Sequence, residues 1–548
     1  MSSKPERILL FYTDRYYLVK QVYPFGLDII ANSLRHHGYD VTIACPFLTG
    51  TDTETGLEEI LADTAPDVIG LGIRNLDTTM SCEPFGNFEG QGYRTFYFLP
   101  EIRRLADIIR SHAPGIPVIV GGGGFTISPA AILKELGLEY GIVGEGEIPL
   151  LQFLEAFPDQ KKIAEIPGMV LRQGDAFQIS PRFPYAFPKA PTLLKREKRF
   201  NYAYEAAGMP VQVKRGCNQH CSYCVEPQIE GGRFIFRAHD EIIRELEMIS
   251  QSYDEVRKIF FVDTEFNLPD LSSCSTLIRK IIGPGLHERF RFSSQFLPNP
   301  FDAEFAELLA ASGFSIILTC DSFSDQVLEK NRSSHRQRHI AATLGLCEQF
   351  GIDCTVNLIF GLPGESHATL DHTIGEMMKF PPNAFRRYEY TMGARIYQGT
   401  PLSHFVETRG DASHIYGKKT EGFLEPCYYC SPESPLKLKA YIENALPFSA
   451  DYQNHQDTDK SQSLALAYLI DQEKWDDAVI LFSESDIDTQ TFMYDYFFRK
   501  VADSGKIQTA KQISQNLAEA IDQNDQTARY GETLSLIQYY LSILNALP

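Results

Sequence analysis

Long apolar runs are absent from this sequence of 548 residues, since no stretch approaches the roughly 18 apolar residues of a membrane-spanning helix. The opening residues, MSSKPERILLFYTD, hold an apolar stretch too short for a secretory signal peptide. We therefore expect a chain that neither spans a membrane nor is exported, with a cytoplasmic location. At about 150 residues per domain, its length predicts roughly three or four domains.

Positive charge is also scarce. There are 51 Lys and Arg residues against 71 Asp and Glu residues, so the formal net charge is −20. Such a field repels phosphate backbones, and the basic residues form no dense run. We therefore expect no nucleic-acid partner.

The 11 cysteines are an odd number in a chain expected to stay inside the cell, which argues against a disulfide framework. Three of them, Cys217, Cys221 and Cys224, fall within eight residues. This distribution predicts reduced thiols and one metal site.

Short apolar segments alternate with amphipathic helical segments through residues 1–155. Parallel strands joined by helical crossovers form a sheet covered on both faces. This region therefore predicts a flavodoxin-like, doubly wound α/β domain. Its five predicted strands are Arg7–Tyr12, Asp40–Ala44, Val68–Ile73, Pro117–Val120 and Tyr140–Val143.

The rest of the chain divides into three regions. Residues 156–205 contain several prolines and predict a linker. Residues 206–430 contain six apolar strand segments, VQVKRG, KIFFVD, RFRFSS, SIILTC, CTVNLIFG and YEYTMGA, which predict a partial (β/α)6 barrel with its chemistry at the strand carboxyl ends. Residues 431–548 predict a helical C-terminal domain.

The segment VKRGCNQHCSYCVEP places three thiols on one loop after a predicted strand. Three thiolates can bind three irons of a 4Fe–4S cubane and leave the fourth iron open for a ligand. Structural zinc would need a fourth ligand nearby. His220 is poorly placed beside Cys221, while Cys427 and Cys430 lie far away in sequence.

The cysteine spacing resembles the signature of the radical S-adenosylmethionine (SAM) enzymes. The resemblance implies that the open iron chelates SAM and that an external flavodoxin-type or ferredoxin-type donor supplies the electron that cleaves it. It places Tyr223 against the adenine and acidic groups against the methionine ammonium. The implied SAM-binding residues are Tyr223, Asp263, Glu265, Ser294, Gln295, Asp321 and Leu362.

The first domain lacks Gly-x-Gly-x-x-Gly after its first strand, which disfavours a nicotinamide or flavin cofactor. Its segments PVIVGGGGFTISP, YGIVGEGE and PDVIGLGIRN instead resemble the cobalamin-binding domain that precedes some radical SAM domains. The implied cobalamin-binding residues are Tyr12, Arg74, Asn75, Gly121, Gly122, Gly123, Gly124, Phe125, Gly144, Glu145 and Glu147.

An Asp-x-His-x-x-Gly loop is missing, so the resemblance implies base-off cobalamin without a histidine ligand. Arg74 then has two interpretations. It is a cation below the cobalt that favours methyl transfer, which makes it a candidate catalytic residue, or it is a clamp on a corrin side chain.

These expectations together predict a cobalamin-dependent radical SAM methyltransferase that acts on a carbon of a small molecule. The alternative within the family is a non-methylating cyclisation or rearrangement. Methylthiolation is disfavoured because Cys45 and Cys82 are the only cysteines of the leading domain, where methylthiolating relatives carry three. A non-catalytic sensor would not need the SAM-binding strand ends.

Arg395 is either an anion-binding residue or half of a salt bridge.

Overall fold

The computed structural model describes residues 5–14, 22–48, 53–83, 86–182, 187, 208–254, 256–409, 413–448, 450–452, 463, 465–470, 472–523, 526–527 and 529–546. Two seven-stranded sheets and a group of helices make up this part of the chain. The parallel α/β architecture expected from the sequence is present in both sheets.

The first sheet has the strand order β2-β1-β3-β6-β7-β8-β9, and neighbours among its first five members are parallel. This is the flavodoxin-like order, in which the direction of winding reverses between β1 and β3. The strands of this region are β1 (Arg7–Tyr12), β2 (Asp40–Ala44), β3 (Val68–Gly72), β4 (Phe88–Gly90), β5 (Tyr93–Thr95), β6 (Val118–Gly121), β7 (Tyr140–Ile142), β8 (Met169–Gln173) and β9 (Ala176–Ile179). Its helices are α1 (Phe25–His36), α2 (Thr53–Thr64), α3 (Leu99–His112), α4 (Gly123–Ile127), α5 (Pro129–Leu136), α6 (Glu147–Ala156) and α7 (Gln160–Ala164).

The first sheet continues beyond residue 155, where the sequence predicts a linker. Strands β8 and β9 form an antiparallel hairpin that pairs with β7. Met169, Val170 and Leu171 are buried there, because they cover the edge of the parallel sheet. Most of the later part of the predicted linker, 183–186 and 188–205, lies outside the described residues.

The second sheet has the order β10-β13-β14-β15-β16-β17-β21, and each neighbouring pair is parallel. The strands from here on are β10 (Met209–Val211), β11 (Lys214–Arg215), β12 (Ile235–Phe236), β13 (Lys258–Phe261), β14 (Arg291–Phe296), β15 (Phe314–Asp321), β16 (Cys354–Phe360), β17 (Arg386–Met392), β18 (Ala394–Arg395), β19 (Ile415–Gly417), β20 (Cys427–Tyr429) and β21 (Asp451–Tyr452). The helices are α8 (Glu226–Ile229), α9 (His239–Ser252), α10 (Leu271–Ile282), α11 (Leu286–Arg289), α12 (Ala303–Ala311), α13 (Asp325–Lys330), α14 (Gln337–Phe350), α15 (His367–Lys379), α16 (Pro401–Arg409) and α17 (Pro435–Ala445).

Two details of the second sheet differ from the expected six strands. The first predicted strand, VQVKRG, is divided, because β10 joins the sheet whereas β11 pairs with β12 in a separate ladder. The short strand β21 adds a seventh member, and it pairs with β17 although it lies beyond residue 430.

The C-terminal region is helical, as the apolar spacing predicts. Its helices include α18 (Trp475–Glu484), α19 (Ile487–Asp503), α20 (Ile507–Gln523) and α21 (Gly531–Ala546). Their buried side chains share one apolar core with Phe96 of the first domain. Among the described residues, no helix combines the length and apolar character needed to cross a membrane.

Candidate cofactor site and active site

The loop with three cysteines follows β11, the short strand that comes after the first strand of the second sheet. Cys217 is buried, and its backbone N–H donates to the Gly231 carbonyl at 3.0 Å. Ser222 holds the middle of the loop, because its N–H and its hydroxyl donate to the backbone and side-chain oxygens of Asn331 at 3.0 and 2.6 Å. Asn331 is not among the residues expected from the sequence, because it lies 109 residues from Ser222 and no local motif indicates the contact.

Gly216 makes the turn into the cysteine loop possible. Its φ is +88°, and a β-carbon there would lie 2.1 Å from the Arg233 carbonyl oxygen. Only glycine satisfies both conditions without moving the backbone. The turn delivers Cys217 to the carboxyl end of the second sheet.

Burial raises the pKa of all three thiols, to about 12 for Cys224. Bare thiols in this loop are therefore protonated at neutral pH, and a bound metal must stabilise the thiolates. Within the described ranges, no three His, Cys, Asp or Glu side chains gather as a single metal ion requires. A cubane binds each thiolate through a different iron, so the three thiols need not meet at a single ion.

Two predicted SAM-binding carboxylates lie beyond the end of β13, close to the cysteine loop. Asp263 Oδ1 accepts from the backbone N–H groups of Val213 and Lys214 at 2.9 and 2.7 Å, whereas Oδ2 is buried without a partner. Glu265 Oε2 is also buried without a partner, and burial raises the pKa of Glu265 to about 8. These unpaired acceptors suit a ligand with a cationic donor, such as an ammonium group.

The structure separates Ser294 from Gln295. The Ser294 side chain lies on the same face of β14 as Phe292 and Phe296, and its hydroxyl donates to the Phe261 carbonyl at 2.8 Å. Gln295 is exposed on the opposite face. Of the two, only the Gln295 side chain is therefore accessible to a ligand.

Asp321 and Tyr223 contact each other directly. The Tyr223 hydroxyl donates to Asp321 Oδ1 at 2.7 Å, and the Ser333 hydroxyl donates to Oδ2 at 3.2 Å. Asp321 thus orients the ring of Tyr223, which is itself part of the cysteine loop. Leu362 is fully buried in an apolar cluster against which Tyr223 packs.

The predicted cobalamin residues Tyr12, Arg74 and Asn75 line one pocket at the carboxyl ends of β1 and β3. This is where the strand order reverses and where doubly wound sheets bind ligands. Arg74 and Asn75 are exposed, and none of the described residues that line the pocket is a histidine. Four residues of the lining were not predicted: Thr13, Asp14, Thr78 and Phe98.

The run of glycines from Gly121 to Gly124 lies beside this pocket. Gly122 has a φ of +103°, and a β-carbon there would lie 2.3 Å from the Ile73 carbonyl oxygen. Gly124 N–H donates to the same oxygen at 3.1 Å. Phe125 is fully buried and packs on Gly141, so it supports the fold instead of facing the pocket.

The turn from Gly144 to Glu147 faces the second sheet. Gly144 N–H donates to the Thr126 hydroxyl at 3.0 Å, and burial raises the pKa of Glu145. Glu147 was predicted to contact cobalamin, but its Oε1 accepts from Arg215 Nη2 at 2.5 Å. This buried ion pair joins the first sheet to the strand that precedes the cysteine loop.

Arg395 forms a buried salt bridge with Asp77. Of its two interpretations, the structure therefore supports the salt bridge and not the anion-binding residue. Its other nitrogens donate to the carbonyls of Ile396 and Phe423 at 2.7 and 2.8 Å. Cys427 and Cys430 are fully buried, and neither belongs to a group of metal-binding side chains in the described part of the chain.

Residues 211–377 match the model of the Radical SAM superfamily. Tryptophan 2-C-methyltransferase from Streptomyces laurentii is 25% identical over 422 residues, which cover 65% of this chain and 68% of that protein.

Solved structures of two proteins share the fold over most of the chain. The radical SAM methyltransferase TsrM from Kitasatospora setae, with cobalamin and a 4Fe–4S cluster bound, has a TM-score of 0.69 at 23% identity and covers 84% of this chain and 95% of its own. Another structure of TsrM holds tryptophan and a SAM analogue. The cobalamin-dependent SAM radical enzyme OxsB, with aqua-cobalamin and SAM bound, has a TM-score of 0.61 at 14% identity and covers 99% of this chain and 84% of its own.

Proposed function

We propose that the chain is a methyltransferase acting on a carbon of a small molecule, because residues 211–377 form a radical SAM domain and the chain shares the fold of cobalamin-dependent radical SAM enzymes. The observation that carries the proposal is the junction of the two sheets. There the buried pair Arg215–Glu147 links the strand before Cys217 to the carboxyl edge of the first sheet.

The side chains present suit three cofactors. Cys217, Cys221 and Cys224 would hold a 4Fe–4S cluster, and the unpaired oxygens of Asp263 and Glu265 would accept from the SAM ammonium. The pocket lined by Tyr12, Arg74 and Asn75 would hold cobalamin. When bound, the cluster and SAM supply radical chemistry, and cobalamin carries the methyl group.

The charge of the chain supports a small substrate. Two buried ion pairs, Arg215 with Glu147 and Arg395 with Asp77, join the first domain to the second, and their side chains are all at most 6% exposed. The net charge of −20 disfavours a nucleic-acid substrate.

The test is an anaerobic incubation of the cofactor-loaded protein with an electron donor and SAM labelled in its methyl group. Tryptophan is the first acceptor to try, because TsrM holds it and a relative is named for its methylation. We expect label on the corrinoid and on a carbon of the product, both measured by mass spectrometry. Label on the corrinoid alone would reject tryptophan, and label on neither would overturn the methyltransferase proposal.

A second candidate is a radical reaction without methyl transfer. It is favoured by the likeness to OxsB, which spans 99% of the chain, against 84% for TsrM. In that case 5′-deoxyadenosine should form while the product gains no carbon. The same incubation separates the two candidates.

An external flavodoxin or ferredoxin is the proposed source of the electron. Replacing the chemical reductant by purified flavodoxin with its reductase should sustain 5′-deoxyadenosine formation. A reaction that proceeds with the chemical reductant but fails with flavodoxin and with ferredoxin would contradict this part of the proposal.

A further inference from the structure

Arg215 lies two residues before Cys217 and is almost completely buried, with 6% of its side chain exposed. Its Nη2 donates to Glu147 Oε1 at 2.5 Å, and its Nε donates to Gln212 Oε1 at 3.2 Å. The remaining nitrogen, Nη1, is buried and has no hydrogen-bond partner in the described part of the chain. A guanidinium keeps its charge and its five N–H donors at any working pH. The buried Nη1 therefore requires a hydrogen-bond acceptor.

The position of Arg215 indicates where that acceptor comes from. Its partner Glu147 begins α6, directly after the glycine turn at the carboxyl end of β7. Gly121–Gly124 and Arg74 lie at the same edge of the first sheet, and ligands of doubly wound sheets bind beyond this edge. Arg215 therefore reaches from β11, the strand before the cysteine loop, to the predicted cobalamin edge of the first sheet.

A second contact places the same two regions together. A β-carbon on Gly123 would lie 3.7 Å from the side chain of Ile229, which ends the helix after the cysteine loop. Arg182 Nη1 donates to the Ile229 carbonyl at 2.6 Å, and a β-carbon on Gly144 would lie 2.7 Å from that nitrogen. The glycine-rich edge and the cysteine loop thus share one boundary, and Arg215 is part of it.

We propose that Arg215 Nη1 donates a hydrogen bond to an amide carbonyl at the corrin periphery of bound cobalamin. This inference rests on the proposed function, because it requires cobalamin in the first domain. It makes a residue of the radical SAM domain part of the cobalamin site. The cofactor would then contact a residue only two positions from the first cluster cysteine.

Cobalamin carries two kinds of acceptor oxygen, the corrin amides and the phosphate of its nucleotide tail. The charges around Arg215 favour the amide. Glu147 already pairs with the guanidinium, and Glu145 and Glu230 lie close enough to interact with it electrostatically. Since the ion pair with Glu147 already balances the positive charge, a neutral carbonyl is a better partner than an additional anion.

The experiment measures corrinoid affinity in the iron-loaded full chain, by absorbance titration. The two probes are hydroxocobalamin and cobinamide, which keeps the corrin amides but lacks the nucleotide tail. We expect Arg215→Gln to weaken the binding of both probes by about tenfold to a hundredfold, the range for a hydrogen bond from a charged donor. Arg215→Lys keeps a positive charge near Glu147 but lacks the forked donors, so it should also weaken both.

The matched control is Arg237→Gln. Arg237 also forms a buried ion pair, with Glu245 at 2.7 Å, but Glu245 belongs to the second domain. This variant should bind both probes as the wild type does, which separates loss of the contact from general destabilisation. Iron content and circular dichroism are measured for every variant.

Three outcomes decide the inference. Equal affinities for wild type and both Arg215 variants would overturn it, and weakening confined to hydroxocobalamin would replace the amide with the tail phosphate. Comparable weakening in Arg237→Gln would attribute the effect to stability and also overturn it. A wild-type protein that binds neither probe would instead overturn the proposed function, so the two failures are distinguishable.

Discussion

Arg395 and Asp77 form an ion pair across 318 residues of sequence, with Nε 2.8 Å from Oδ2. Their side chains are 2% and 1% exposed. Close by, the Ser81 hydroxyl donates to the Met392 carbonyl at the end of β17, at 2.5 Å. These contacts attach the segment after Arg74 to the end of the second sheet, and so they set the distance between the two cofactor sites.

Removing one partner of this pair should be costly. Asp77→Asn leaves the Arg395 charge buried without its counter-ion, and we expect a loss of about 3–5 kcal/mol in the free energy of unfolding. The urea midpoint and the rate of limited proteolysis measure the effect. Asp107→Asn, which breaks the exposed pair with Arg110, is the control and should change little. Equal midpoints for the two variants would contradict the role of the buried pair.

The cysteine loop predicts the iron content. Protein prepared anaerobically should contain about four iron and four sulfide per chain. Replacing Cys217, Cys221 and Cys224 together by Ala should reduce both to near zero and abolish SAM cleavage. The double variant Cys427→Ala, Cys430→Ala should keep the full amount. Iron retained in the triple variant would move the cluster elsewhere.

The pocket at β1 and β3 predicts the cobalt environment. No histidine of the described residues lines the pocket, and the family resemblance implies a base-off cofactor. Bound Co(II) cobalamin should therefore have neither its own nucleotide base nor a protein imidazole below the metal. Electron paramagnetic resonance should therefore show cobalt lines without nitrogen superhyperfine splitting. Splitting from a single nitrogen would reject this interpretation.

Arg74 provides a sharper test of the same pocket. Among the described residues it has neither a hydrogen bond nor an ion pair, so its charge is available to a ligand. If it lies below the cobalt, Arg74→Ala should still bind cobalamin but slow methyl transfer more than SAM cleavage. Arg74→Lys should retain part of the rate, because it keeps the charge but loses the planar fork.

The alternative for Arg74, a clamp on a corrin side chain, makes the opposite prediction. The Ala variant would lose cobalamin affinity while the loaded fraction turns over normally. Measuring cobalamin occupancy together with product formed per loaded protein distinguishes the two.

Glu365 predicts a dependence of stability on pH. Its carboxylate accepts from the Thr369 hydroxyl at 2.7 Å, but burial raises its pKa from 4.5 to about 7. The folded state therefore binds the proton more tightly than the unfolded state, and stability falls as the pH rises from about 4.5 to 7.

Glu365→Gln should remove this dependence. The variant should be more stable than the wild type above pH 7, by about 3 kcal/mol at 1.36 kcal/mol for each unit of pKa. Thermal unfolding at several pH values measures the effect, with the exposed Glu304→Gln as control. Parallel pH profiles for wild type and Glu365→Gln would contradict the prediction.

Much of the architecture could be predicted because its signals are local. The strands β1, β2 and β3 were predicted to within one residue, since a parallel strand covered on both faces is a short continuous apolar run. The hairpin of β8 and β9 was missed, because its place depends on the uncovered edge of β7. The sequence of the hairpin does not indicate that it pairs with β7.

The site divides in the same way. Side-chain direction along β14 decides between Ser294 and Gln295, and that direction depends on how the strand pairs with β15. Glu147 was predicted as a cobalamin contact, yet its carboxylate pairs with Arg215, which is 68 residues away in sequence.

The sequence by itself determined the chemistry of the cysteine loop, because three thiols with this spacing and the glycine before them act within one short segment. It also determined the alternation of strands and helices, since each apolar period is a local property. Only the tertiary structure decided which charges meet between the sheets. Arg215 with Glu147 and Arg395 with Asp77 become partners because burial leaves each charge no water to solvate it. That requirement depends on how whole sheets pack, so these ion pairs cannot be predicted from any short segment of the sequence.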